Sequence, residues 1–150
     1  VIAIVEGDIL KAKEDIIGHQ VNCCGVMGSG LAKQLKDTYS NLHPMYKEFC
    51  DNHNPYELLG ECHIVSAGSK KIANLFGQLN YGRKKVRYTD YDALRLALYS
   101  LGEYAARHEM TIALPWGIGC GLANGDWDVV YQMIDEVFEN GEATLYKWKG

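Results

Sequence analysis

The sequence predicts an α/β fold with a mainly parallel sheet. Apolar runs of strand length alternate with amphipathic helical stretches, and two glycine-rich segments sit where a strand gives way to a helix. The strand-length runs cover residues 1–5, 16–21, 62–65, 72–76, 111–114 and 143–146. Between them, apolar residues recur at helical spacing: Leu31, Ala32, Leu35 and Tyr39, then Leu42, Met45, Tyr46 and Phe49. A third helix is predicted from Tyr91, Leu94, Leu98, Leu101 and Ala105, and a fourth from Trp127, Val130, Ile134, Val137 and Phe138. Asp90 (or Thr89) and Asp126 stand just before two of these helices, where a short polar side chain accepts from free helix N–H groups. Strands that alternate with helices pack as a sheet with helices on both faces.

Composition narrows the function classes. A chain of 150 residues, 47% hydrophobic, is long enough to bury its own core, so one domain spanning residues 1–150 is expected. The net charge of -4 argues against a general nucleic-acid surface, which carries a basic excess. No apolar run reaches the ~20 residues that span a bilayer, so no membrane partner is expected. No signal peptide is visible, and Val1 opens directly in a strand, which leaves open what precedes it. Five cysteines, two of them adjacent at Cys23 and Cys24, favour reduced thiols in a cytoplasmic setting. No zinc site is expected, because Cys62 and His63 are neighbours and no C-x-x-C or H-x-x-x-H pair exists. A monomer without cofactor is expected.

In a parallel sheet, ligands bind beyond the carboxyl ends of the strands, and that rule selects two loops. The first is "QVNCCGVMGSGLAKQL", residues 20–35, with Gly25, Gly28 and Gly30. The second is "LPWGIGCGLANGDW", residues 114–127, with Gly117, Gly119, Gly121 and Gly125. Glycine-rich strand-to-helix turns present backbone N–H groups and a positive helix end, which suits phosphate. Two such loops in one small domain are able to grip a diphosphate from both sides. The common phosphate fingerprints fail, however: "GVMGSG" is not G-x-G-x-x-G, and no G-K-[ST] follows it. The residues therefore predict phosphate binding without a nucleotidase motif, against the plainer alternative that these glycines only make tight turns.

Five ordered motifs carry a resemblance that spans nearly the whole chain. "GDIL" follows the first strand, then come "VNCCGVMGSGLAKQL", "LLGECHIV", "NLFGQ" and "LPWGIGCGL". In that order they resemble a macrodomain, the ADP-ribose-binding family with a three-layer α/β/α fold and a central mixed, mainly parallel sheet. The branch most similar holds the terminal ADP-ribose protein glycohydrolase and the macrodomains of DNA-ADP-ribosylation antitoxins. Yeast-type ADP-ribose-1''-phosphate phosphatases lie near the same branch. The resemblance implies that Asp8, with Ile9 beside it, meets adenine, the carboxylate accepting from the exocyclic amino group. Asp8 also fits a cap for the turn after the strand. By the same resemblance Asn22 lies near the distal ribose, and Gly28, Ser29, Gly30 and Leu31 pass beside that ribose and the diphosphate. Ile118, Gly119, Cys120, Gly121 and Leu122 would wrap the diphosphate. Tyr146 or Trp148 would wall the adenine pocket, and a core or surface role suits either aromatic equally well.

Where the glycohydrolase branch carries a lysine and an aspartate, this chain has Gln78 and Ala123. Gln78 cannot form a lysine-type covalent adduct, and Ala123 cannot act as acid or base. Gln78 stays a candidate ligand contact, and the lysyl mechanism is not carried over. The candidate catalytic groups are Asn22, His19 and Asp126. Phosphatase relatives carry a histidine where His19 stands, although a lone histidine in an apolar strand also serves as a core residue. Asp126 also serves as a helix cap. Lys84 and Lys85 sit in "NYGRKKVRYTDY", which reads either as a lid over the distal ribose or as a solvated loop. Cys23, Cys24 and Cys120 are expected to pack, since no histidine base is placed by a recognisable local signature.

Two readings follow from the resemblance. One is a hydrolase that frees ADP-ribose from protein or nucleic acid, or processes ADP-ribose-1''-phosphate. The other is a non-catalytic reader of ADP-ribose. A third, outside the family, is a nucleotide-binding module for another ligand.

Overall fold

The computed structural model describes residues 1–148. Its strands are β1 (Ile2–Glu6), β2 (Ile16–Val21), β3 (Cys62–Ala67), β4 (Lys70–Phe76), β5 (Ile112–Pro115) and β6 (Ala143–Lys147). The helices are α1 (Gly30–Thr38), α2 (Leu42–Asp51), α3 (Pro55–Leu58), α4 (Tyr91–His108) and α5 (Trp127–Val137), with a 3₁₀ turn at Ile9–Lys11. One sheet holds all six strands in the order β1-β6-β5-β2-β4-β3. Every neighbouring pair is parallel except β3 with β4, so the sheet is mixed and mainly parallel.

Burial explains why the inner strands β2, β4 and β5 read as continuous apolar runs instead of alternating ones. Ile17 and Val21 of β2 and Ile72 and Phe76 of β4 pack on one face against Leu35 of α1, Leu42 and Tyr46 of α2, and Leu58 of α3. Their neighbours Ile16, Ala73 and Leu75, with Ile112 and Leu114 of β5, pack on the other face against Leu94, Leu98 and Leu101 of α4 and Val130 and Ile134 of α5. Both faces are covered, which gives the three-layer α/β/α architecture. Gly18 in mid-strand permits one of these contacts. A Cβ there would stand 2.7 Å from Leu114 Cδ2 and 3.3 Å from Leu101 Cδ2, so only glycine lets both leucines close over β2.

The helix ends follow local chemistry. Asp90 accepts from the N–H of Ala93 at 3.0 Å and Asp126 from that of Asp128 at 2.9 Å, so both predicted caps form. The one-turn helix α3 is not predicted by periodicity, because four residues are too few to show a period. Its signal is instead a capping box between Asn54 and Glu57, with Pro55 in the first turn. β3 extends past its predicted end to Ala67 and turns back into β4 through Gly68, whose φ of +61° suits glycine. Among the described residues no helix is long and apolar enough to cross a membrane.

Candidate functional site

β2 and β5 are neighbours in the sheet, so the two glycine loops leave adjacent strand ends on the same side. Between them lies a cavity of about 500 Å³, within the range of small-molecule sites. The first loop lines it with Asn22, Gly28, Ser29, Gly30 and Leu31, and the second with Gly117, Ile118, Gly119, Gly121, Leu122 and Ala123. A third wall comes from Gln78, Tyr81, Gly82 and Arg83, while His19 and Gln20 line it from β2.

The first loop is braced by side chains. Asn22 Oδ1 accepts from the N–H of Cys24 at 2.9 Å and of Val26 at 3.4 Å, and Nδ2 donates to the Val26 carbonyl at 2.8 Å. The fully buried Tyr46 hydroxyl, on α2, reaches the Asn22 carbonyl at 2.6 Å and Oδ1 at 2.9 Å. Asn22 therefore holds its own loop and leaves one amide hydrogen for anything in the cavity. Gly30 has φ of +60° and open space where a Cβ would be, and Ser29 caps α1 without a side-chain bond. The free N–H groups of the α1 N-terminus and the uncommitted Ser29 hydroxyl thus lie at the cavity, an arrangement that favours anions.

The second loop is braced mainly by backbone. Gly117 and Gly119 have φ of +82° and +77°, values that L side chains rarely adopt. Gly125 N–H donates to the Gly119 carbonyl at 2.9 Å, and a Cβ on Gly125 would stand 2.5 Å from that oxygen. The thiol of Cys120 donates to the Ile118 carbonyl at 3.4 Å, and Cys120 is the one residue of stretch 118–122 that does not line the cavity. Burial pushes its thiol up to about 11 and that of Cys23 up to about 12, so neither is an activated nucleophile at neutral pH. Cys24 is raised by the same cause, and its thiol donates to the Leu79 carbonyl at 3.4 Å.

Gln20 connects the walls, and nothing in its sequence neighbourhood signals this. Its Nε2 donates to Gln78 Oε1 at 2.8 Å and to Thr89 Oγ1 at 2.9 Å, and the Thr89 hydroxyl donates to the Gly119 carbonyl at 2.6 Å. Gln78 also donates through Nε2 to the Asn80 carbonyl at 2.9 Å. The residue at the lysine position is therefore a strut between loops as well as part of the cavity lining.

His19 is 2% exposed, and its Nε2 lies 2.7 Å from Asn74 Oδ1. An amide oxygen only accepts, so this contact puts the proton on Nε2 and leaves Nδ1 as a lone pair. Nδ1 is buried and has no partner. Burial lowers the His19 pKa to about 4, outweighing the Asn74 bond, so the ring is neutral at ordinary pH. Asn74 extends the chain to His63 Nδ1 at 3.3 Å.

The remaining sequence-predicted residues lie elsewhere. Asp126 is exposed, caps α5 and donates its N–H to the Tyr91 hydroxyl at 2.9 Å, and it does not line the cavity. Asp8 caps the 3₁₀ turn, accepting from Leu10 N–H at 2.9 Å through one oxygen, with buried Ile9 after it. Tyr146 is 8% exposed, with its hydroxyl on Glu14 Oε1 at 2.5 Å, whereas Trp148 is 69% exposed. Asp8, Ile9 and Trp148 lie just beyond the ends of β1 and β6 and Tyr146 lies within β6, and none of these four lines the cavity. Trp116 bridges the gap: it lines the cavity, and Lys147 Nζ sits 4.7 Å over its ring. Lys84 and Lys85 are exposed and do not line the cavity; from that basic segment Arg83 does, with Tyr81 and Gly82. The sequence reading missed Gln20, Tyr81, Arg83 and Trp116. No cluster of potential metal ligands exists among the described residues.

Comparison with known proteins gives this geometry a class. No family model matches the chain. It is 26% identical over 152 residues to the DNA ADP-ribosyl glycohydrolase of Mycobacterium tuberculosis, covering 96% of this chain but 41% of that protein. It is also 26% identical over 175 residues to the ADP-ribose 1''-phosphate phosphatase of Saccharomyces cerevisiae, covering 97% of this chain and 98% of the relative. Among solved structures, the macrodomain of Mycobacterium tuberculosis DarG superposes with a TM-score of 0.79 at 26% identity, covering 97% of each chain. The chain has the three-layer fold of the macrodomains and is similar to them in sequence.

Proposed function

We propose that the protein binds ADP-ribose across the two glycine loops and hydrolyses an ADP-ribosyl derivative at the distal ribose. The observation that carries this reading is the pairing of the loops: they leave adjacent strands and face one cavity with room beside Gly30, Gly117 and Gly121. Bare backbone at these glycines allows a diphosphate to approach N–H groups from two sides. Asp8 keeps one carboxylate oxygen for the adenine amino group while the other caps the turn. Trp148, exposed beyond β6, is the candidate stacking surface, because the Tyr146 ring is packed in the core.

The likeness to a glycohydrolase and a phosphatase supports hydrolase chemistry. Among the described residues no carboxylate and no lysine line the cavity, so this reading uses neither a lysine adduct nor a carboxylate nucleophile. Water would add to the anomeric carbon as the bond to the acceptor breaks. The electron pair leaves on the acceptor, and the water proton ends there. In this reading the lone pair of His19 Nδ1 orients the water, and Asn22 and the 28–30 backbone orient the ribose.

Incubation with ADP-ribosylated protein, ADP-ribosylated DNA and ADP-ribose-1''-phosphate tests the chemistry, with release of ADP-ribose from at least one as the expected outcome. If all three survive high protein concentration, the second reading stands: a non-catalytic reader. Gln78 and Ala123 at the branch's catalytic positions favour that alternative.

A further inference from the structure

Glycine loops give a diphosphate hydrogen bonds but no net positive charge, and the chain carries a net charge of -4. Among the described residues, Arg83 is the one charged side chain that lines the cavity. It is exposed and makes none of the ion pairs found among the described residues. Lys84, Lys85 and Arg87 follow it closely, and mutual repulsion disfavours an ordered loop unless something holds it.

The holding groups come from the second glycine loop. Asn124 Nδ2 donates to the Lys84 carbonyl at 3.2 Å and to the Val86 carbonyl at 2.7 Å. The Ala123 carbonyl accepts from the N–H groups of Tyr88 at 2.8 Å and Thr89 at 3.2 Å. Asn124 does this from a φ of +61°, in the region where its neighbours in the loop use glycine. A glycine would fit that backbone with less strain, so what asparagine adds at this position is the side-chain staple.

We propose that Arg83 is the phosphate-reading residue of this cavity and that Asn124 is the positioning residue that presents it. The inference rests on the ADP-ribose reading above. A guanidinium offers a planar fork of donors that matches phosphate oxygens, and it supplies the charge that the backbone loops lack. Asn124 ties the wall bearing Arg83 to the loop bearing Gly117, Gly119 and Gly121, so both sets of donors face one anion.

The test is calorimetry with ADP-ribose, AMP, adenosine and inorganic pyrophosphate on wild type, R83Q, R83K, N124G and the R83Q/N124G double variant. Melting temperatures serve as the folding control. R83Q is expected to weaken ADP-ribose binding by about tenfold, the scale of one charge-assisted hydrogen bond, while adenosine binding stays unchanged. R83K restores part of the loss. N124G keeps the left-handed backbone and also weakens ADP-ribose binding, and the double variant binds no worse than R83Q, because Asn124 acts through Arg83. In the absence of ligand, N124G is cut faster by trypsin after Lys84 and Lys85. R83Q binding ADP-ribose as tightly as wild type overturns the role of Arg83, and additive losses in the double variant overturn the role of Asn124. A wild type that does not prefer ADP-ribose to AMP overturns the functional reading instead. The pyrophosphate arm then decides for Arg83, and binding that does not depend on Arg83 overturns the proposal too.

Discussion

The two glycine loops do similar work on opposite sides of one cavity, yet they are held in different ways. The loop after β2 carries its own brace: Asn22 bonds to residues within four positions of itself, and the buried Tyr46 hydroxyl locks it from α2. The loop after β5 is held by its own backbone and by groups distant in sequence: Thr89, 30 residues from Gly119, and the Lys84 and Val86 carbonyls, 40 and 38 residues from Asn124. A loop braced from within and from a buried hydroxyl is rigid before a ligand arrives. A loop braced by a neighbouring exposed segment is as firm as that segment, so motion at the site is expected on the side of β5.

Breaking the internal brace is expected to have the largest effect. Asn22→Ala removes three loop bonds and one of the two acceptors of the Tyr46 hydroxyl, which keeps the carbonyl of residue 22, so it should cost about 2–4 kcal/mol in urea unfolding. ADP-ribose binding is expected to fail with it, since both sides of the cavity need the first loop. Gly125→Ala attacks the second loop through its backbone. The new Cβ meets the Gly119 carbonyl, and a cost of about 1–3 kcal/mol is expected, with weaker ADP-ribose binding. Thr89→Val removes the hydroxyl that joins Gln20 to Gly119 and should cost about 1 kcal/mol in the same measurement. A larger loss from Thr89→Val than from Asn22→Ala would reverse the comparison, showing that the distant brace governs the site.

What the sequence reveals follows the same division. The six strands, the faces of α4 and α5 and the caps Asp90 and Asp126 are all legible, because each is encoded by residues a few positions apart. The glycine loops are legible for the same reason, and so is the resemblance they carry. Gln20 and Arg83 are not. Gln20 reads as an ordinary strand residue until Gln78 and Thr89 are brought beside it by the sheet and the loop after β4. Arg83 reads as one cation in a basic run, and no local pattern says that it lines the cavity while Lys84 and Lys85 do not. Asp126 shows the limit from the other side. The sequence offers it both as a candidate catalytic group and as a helix cap, and the structure gives its carboxylate to the α5 N-terminus.

The central claim is that both loops grip one ligand, and hydrogen exchange at their amides tests it most directly. On addition of ADP-ribose, the amides of residues 28–31 and 117–122 are expected to gain protection together. AMP, which lacks the second phosphate and the distal ribose, is expected to protect them much less. Protection confined to one loop, or equal protection by AMP, would contradict the account.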